Sequence, residues 1–134
     1  MQVIGATPGY IRRVGAFFGG VFEGERLSGE VLDSGNDWQT VRGDGAVTLD
    51  ARLVLKTDDN AMIGMVYRGI RHGPPDVLAR IDRGEVVDPA LHYFRITSSF
   101  EASAPKYVWL NRLLAIGVGH RTADGPIYSL FEPL

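Results

Sequence analysis

Asp50 and Arg52 stand two residues apart within Ala46–Thr57, opposite an apolar alternation of Val47, Leu49, Ala51, Leu53 and Leu55. At strand period every second side chain falls on one face, so this carboxylate and guanidinium share a side. Two chemistries fit the pair. On a wet face it is an ion pair worth about 0–1 kcal/mol. In a partly dry cavity Asp50 becomes a general base and Arg52 an anion clamp. A second set lies toward the C-terminus. The stretch Tyr93–Glu101 alternates a packing face (Phe94, Ile96, Ser98, Phe100) with a hydrogen-bonding face (Tyr93, Arg95, Thr97, Ser99, Glu101). Read as a strand, Tyr107-Val108-Trp109-Leu110-Asn111 puts Tyr107, Trp109 and Asn111 on one side. Aromatic rings beside an arginine, a carboxylate and an amide suit the lining of a small-molecule cavity.

Within the first of these stretches Arg95 and Glu101 are about 20 Å apart at strand rise, so they cannot touch. Arg95, next to Tyr93, is the pocket candidate; Glu101 precedes the Ala102–Lys106 turn and can equally bond that turn's backbone. Trp38 and Trp109 are the chain's two tryptophans. Each either packs a core or walls a ligand. Tyr67 precedes Arg68-Gly69, and its phenol can serve as a general acid or an oxyanion donor. Asn111 can orient a carbonyl or tie down a strand end. His72, His92 and His120 lack the close spacings that build a metal centre, and no metal is expected. Gly117-Val118-Gly119 is not followed by a helix, as a dinucleotide fingerprint requires. A hairpin explains Arg42-Gly43-Asp44, and no serine occupies a Gly-x-Ser-x-Gly elbow.

The elements that must position these groups are strands. The chain has 134 residues with 17 glycines and 7 prolines placed between short alternating segments, the pattern of one all-β domain spanning residues 1–134. Expected strands are Tyr10–Phe18, Val21–Glu23, Leu27–Leu32, Asp37–Arg42, Ala46–Thr57, Ala61–Arg71, Tyr93–Ala102, Val108–Arg121 and Ile127–Phe131. Turns fall at Gly19-Gly20, Ser34-Gly35-Asn36, Gly43-Asp44-Gly45, Asp58-Asp59-Asn60 and Asp124-Gly125. Ala46–Thr57 would extend about 40 Å, and long antiparallel strands with tight turns close readily. The expected architecture is a small antiparallel β-barrel, lipocalin-like in outline. One short helix over Pro75–Arg83 breaks the strand pattern, with proline in its first turn, a Val77, Leu78 and Ile81 stripe, and Gly84 at its end.

At Asn36-Asp37-Trp38, Leu49-Asp50-Ala51-Arg52, Lys56-Thr57-Asp58-Asp59, Tyr67-Arg68-Gly69, Tyr93-Phe94-Arg95, Phe100-Glu101 and Tyr107-Val108-Trp109-Leu110-Asn111 the chain resembles the family catalogued as domain of unknown function 3237. The motifs run in the same order at similar spacing, from about Gly19 to Arg121. The resemblance implies a small antiparallel barrel, often oligomeric, with relatives among small-molecule biosynthetic or catabolic enzymes and chemistry that needs no cofactor. Relatives commonly carry a further strand before the equivalent of Ile4.

Composition narrows the function classes. With 14 Lys plus Arg against 16 Asp plus Glu and no basic run, no nucleic-acid partner is expected. The longest apolar run, Leu113 to Val118, is too short for a membrane span. The chain has no cysteine, hence no thiol nucleophile. Met1-Gln2-Val3-Ile4-Gly5 lacks the pattern of a signal peptide, so a cytoplasmic location is expected. Two readings follow. In the first, the protein is a cofactor-independent isomerase, cyclase or lyase acting on an aromatic or enolisable metabolite. Its catalytic groups are Asp50, Arg52, Tyr67 and Arg95, and Trp38, Tyr93, Tyr107, Trp109 and Asn111 line the ligand site. In the second, the same barrel binds an apolar or aromatic ligand without turnover. Apolar groups on both faces of Ala61–Arg71 (Met62, Val66 and Ile70 against Ile63, Met65 and Tyr67) predict a homo-oligomer, most simply a dimer.

Overall fold

The computed structural model describes residues 1–17, 19–122 and 125–133. Its strands are β1 (Gln2–Thr7), β2 (Tyr10–Ala16), β3 (Val21–Glu23), β4 (Ser28–Val31), β5 (Asn36–Arg42), β6 (Val47–Thr57), β7 (Met62–His72), β8 (Tyr93–Ala102), β9 (Ala115–Thr122) and β10 (Gly125–Phe131). One helix, α1 (Pro75–Asp82), and 3₁₀ segments at Pro89–Leu91 and Pro105–Arg112 complete the fold. The strands form one antiparallel sheet in the order β1-β2-β5-β6-β7-β8-β9-β10, with β4 pairing β6 and β3 pairing β4. Among the described residues the sheet is not closed: β1 and β10 end its main path, and β3, paired with β4, is a further edge.

Curling is visible in ring contacts between distant strands. Tyr67 on β7 lies 5.3 Å, centroid to centroid, from Tyr128 on β10, and 6.3 Å from Phe17, which follows β2. In either direction three strand spacings intervene, about 14 Å on a flat sheet. Both flanks therefore roll inward over Tyr67. The inner face carries the core: Val47, Leu49, Ala51, Leu53 and Leu55 of β6, Ile63, Met65 and Tyr67 of β7, and Phe94 and Ile96 of β8. Gly117 and Gly119 allow the tight roll at β9. A Cβ at Gly117 would sit 2.5 Å from Ile96 Cγ1, and one at Gly119 would sit 2.9 Å from the Phe94 ring.

Most expected elements appear, and two differ in kind. The long β6–β7 hairpin turns at Asp58-Asp59-Asn60, where Asn60 takes φ 68°, a conformation asparagine tolerates. The expected helix coincides with α1, and Gly84 at φ 82° follows its end. The expected strand Val108–Arg121, by contrast, begins only at Ala115. Pro105 opens a 3₁₀ run in which the Tyr107 N–H donates to Ala104 O at 2.9 Å, and proline suits that first helical position. β1 was not expected, because Gly5, at φ 115°, sits at a register shift against β2 and breaks the alternation. Finally, Phe18 and the Asp124 side of the Asp124-Gly125 turn lie outside the described residues. The outward row of β7 holds Met62, Val66 and Ile70, with Ile63, Met65 and Tyr67 inward. No helix among the described residues is long and apolar enough to cross a membrane.

Candidate active site

Register decides which polar groups meet inside the curl. Reading across the inner face, Gly15, Asp37, Ala51, Tyr67, Ser98 and Ala115 are successive partners from β2 to β9. Between Asp37 and Tyr67 stands only the small Ala51. Asp37 is 7% exposed and Tyr67 2%. Arg13 and Gln39 are partners one step along the same face, and Arg71 lies on β7 in the next row, opposite Phe94.

These groups form a connected network. Arg13 Nε donates to Gln39 Oε1 at 2.7 Å, and Gln39 Nε2 donates to Asp37 Oδ2 at 3.0 Å. The other Asp37 oxygen accepts the Asp50 N–H at 3.1 Å. Asp82, the last residue of α1, accepts from both Arg13 and Arg71. Burial pushes the Asp37 carboxyl above its ordinary pKa, although the hydrogen bonds from Gln39 and Asp50 and the charge of Arg71 oppose the rise. Burial also drives the Tyr67 phenol far up, helped by Tyr128 and by Asp37. Tyr67 is therefore a permanent O–H donor, its oxygen 3.4 Å from that of Tyr128, while Asp37 can change protonation nearer neutrality. The Ser98 hydroxyl, beside Tyr67 in the same row, is buried with no hydrogen-bond partner among the described residues. Burial, then Arg71, lowers the His92 pKa and keeps that ring neutral. Phe17 and Tyr128 pack their rings against Tyr67, and Phe94 packs edge-on against Tyr128.

Of the side chains singled out from the sequence, Tyr67 alone shares the inner-face row with Asp37, and the structure does not bring the others together with it in one pocket. Asp50 and Arg52 face outward, because the opposite face of β6 is the apolar one and takes the core. Arg68 Nε approaches Asp50 at 3.7 Å, an exposed pair. Arg95 and Tyr93 are also on the outer face. The Arg95 guanidinium lies 4.8 Å from the Tyr93 ring centroid and donates to Phe94 O, and Tyr93 stacks on His72 at 5.0 Å. Trp38 is exposed and bonds Asn36. Tyr107, Trp109 and Asn111 do not share a strand face, because they sit on the 3₁₀ segment. Tyr107 is buried with its hydroxyl on Asp59, and Trp109 donates to Lys106 O beneath the Arg26 guanidinium. Asn111 clamps the Ala102 backbone N–H and carbonyl and also bonds Val108 O, so it ties down a strand end. Sequence reasoning missed Asp37, Gln39, Arg13, Arg71 and Tyr128. The alternation Asp37, Gln39, Val41 opposite Trp38 and Thr40 was the available signal, and the bulk of Trp38 pointed the wrong way. Among the described residues no cluster of three or more His, Cys, Asp or Glu could hold a metal.

A curled antiparallel sheet with one short helix, and with Asp37 and Tyr67 in one row of its concave side, defines the class as β-barrel-like. The chain belongs to the family described as "Protein of unknown function (DUF3237)", whose model matches residues 1–132, in agreement with the motif resemblance. A UPF0311 protein of Rhodopseudomonas palustris is 38% identical over 124 residues, covering 92% of this chain and 81% of its own length. The crystal structure of a conserved protein of unknown function from the same organism superposes with a TM-score of 0.95 at 36% identity, covering 99% of this chain and 88% of that one. A beta-barrel like protein of Acinetobacter baumannii gives 0.83 at 39% identity, covering 98% and 84%. At 21% identity, the structure of an enzyme from Penicillium herquei shares the fold, with a TM-score of 0.65 over 87% of this chain and 71% of its own.

Proposed function

We propose that the protein is a cofactor-independent acid–base enzyme of isomerase, cyclase or lyase type, acting on an aromatic or enolisable small molecule at the inner face of the sheet. The observation that carries this reading is Asp37, a carboxyl 7% exposed, in one cross-strand row with Tyr67. In the isomerase case the Asp37 carboxylate takes a proton from a carbon next to a carbonyl, and the electron pair moves onto the carbonyl oxygen. The Tyr67 hydroxyl donates to that oxygen as charge develops. Asp37 then returns the proton to another carbon, leaving no net change in the enzyme. Asp50, Arg52 and Arg95 take no part, being on the far side of the sheet. That a fold relative is described as an enzyme agrees with the reading. We further propose a homo-oligomer in which a second copy covers the outward row of Met62, Val66 and Ile70.

The binding-module reading has its own support in the Phe17, Tyr67, Phe94 and Tyr128 cluster, which walls a ligand without needing Asp37. A metabolite screen by thermal shift, followed by turnover assays on each binder with wild type and Asp37→Asn, separates the two. Catalysis predicts that the variant keeps ligand affinity within about tenfold and loses turnover by about 10²-fold or more. Turnover undiminished in the variant would remove Asp37 from the mechanism, and binders that none of the assays sees converted would favour the module.

A further inference from the structure

Arg13 and Arg71 come from β2 and β7, yet both guanidiniums turn inward and meet the same carboxylate oxygen, Asp82 Oδ1, at 3.3 and 3.2 Å. The side chains of the arginines are only 16% and 3% exposed, whereas that of Asp82 is 44% exposed. Both contacts are long for charge-assisted bonds, which normally close to about 2.7–2.9 Å, and neither is the two-pronged pairing that guanidinium and carboxylate favour. A wet carboxylate at the end of a short helix thus holds two dry guanidiniums at one oxygen. From Arg13 the hydrogen bonds run through Gln39 to Asp37. Arg71 lies 5.8 Å from the Phe94 ring centroid, and Phe94 packs edge-on against Tyr128.

We infer that Arg13 and Arg71 form a subsite for the anionic oxygen of an aromatic ligand, a carboxylate foremost, and that Asp82 is the internal occupant such a ligand displaces. The inference rests on the acid–base reading of the inner face and names the substrate class for it: an aromatic acid seated beside Phe94, with its reacting portion toward Asp37. The helix end then acts as a competitor. An incoming carboxylate can turn one oxygen toward each guanidinium, whereas Asp82 presents the same Oδ1 to both, and the released Asp82 returns to water.

Benzoate and benzyl alcohol, titrated calorimetrically into the full chain and into Asp82→Asn, test this. Removing the competing charge should tighten benzoate binding about tenfold and leave benzyl alcohol unchanged. Equal or weaker benzoate binding in the variant, no benzoate binding to either protein at millimolar concentration, or the same gain for benzyl alcohol would each overturn the subsite. A folding defect cannot imitate the expected result, since it would lower affinity for both probes. Carbon-13 titration of the Asp37 carboxyl on the same samples keeps the two proposals apart. An elevated Asp37 with indifferent benzoate retires the subsite alone. Tightened benzoate with an Asp37 that titrates like an ordinary aspartate retires the acid–base reading alone.

Discussion

Asp37 and Asp59 are both aspartates bound by several donors, and the fold treats them oppositely. Asp59, in the β6–β7 turn, accepts from the Thr57 hydroxyl at 2.5 Å, the Tyr107 hydroxyl at 2.8 Å and Lys106 Nζ at 3.1 Å. Those donors, Thr57 foremost and then Tyr107 and Lys106, hold its carboxyl far below the usual range. Asp37 has a side-chain amide and a backbone N–H as donors, but burial outweighs them and its pKa goes up. The first carboxylate fastens the Pro105–Arg112 segment onto the hairpin. The second sits in a setting that resists its charge, the condition the acid–base proposal requires of it.

The largest expected effect breaks the fastened end. Tyr107→Phe removes the hydroxyl that donates to Asp59 and, because water screens the nearly half-exposed carboxylate, should destabilise the protein by about 0.5–1.5 kcal/mol, the net range for an ordinary hydrogen bond, as read by denaturant unfolding. A loss below about 0.5 kcal/mol, the lower end of that range, would mean that the segment is held by its apolar contacts alone.

A second prediction contrasts the signs of two pH dependences. Asp59 has a depressed folded pKa, so the stability it confers is present above the unfolded value of about 3.9 and is lost as pH falls through the folded value. For Asp37 the folded pKa is raised. Its folded form binds the extra proton, and its contribution declines as pH rises from about 3.9 through the elevated value. Asp59→Asn should therefore flatten the acid limb of the stability curve, and Asp37→Asn should remove a loss on the way from acid toward neutral pH. Unfolding curves collected from pH 3 to 8 check both, and two variants with the same sign of change would end the contrast.

Most of the scaffold was legible because its signals are local and repeated. β8 matches its expected span to the residue, and its packing face is the buried one. Proline, an apolar stripe and glycine marked α1. The short segments were harder. Five residues from Tyr107 to Asn111 alternate well enough for a strand, and only Pro105 argued for a helical turn. Orientation was the larger failure. Polar groups opposite an apolar row, such as Asp50 and Arg52, mark the outer face of a curled sheet, because the apolar row fills the inside. The interior acid escaped notice since Asp37 is flanked by Trp38, whose bulk suggested burial, while the ring lies outside against Asn36 and Arg12. Alternation assigns residues to two faces; it does not say which face the sheet will curl around.

The smallest expected effect on stability concerns Tyr67, the interior counterpart of Tyr107. Both tyrosines are buried, yet their hydroxyls differ. The Tyr107 hydroxyl meets a carboxylate at 2.8 Å, and that of Tyr67 reaches the Tyr128 oxygen only at 3.4 Å, where a hydrogen bond is weak. Tyr67→Phe keeps the ring against Phe17 and Tyr128 and removes a poorly bonded polar atom from an apolar site. It should cost no more than about 0.5 kcal/mol and can stabilise. On the acid–base reading the same change removes the oxyanion donor and should lower turnover by about 10²–10³-fold. A stability loss as large as that of Tyr107→Phe, with turnover of an identified substrate intact, would make Tyr67 a second fastener. The difference between the two regions would then lie in Asp37 alone.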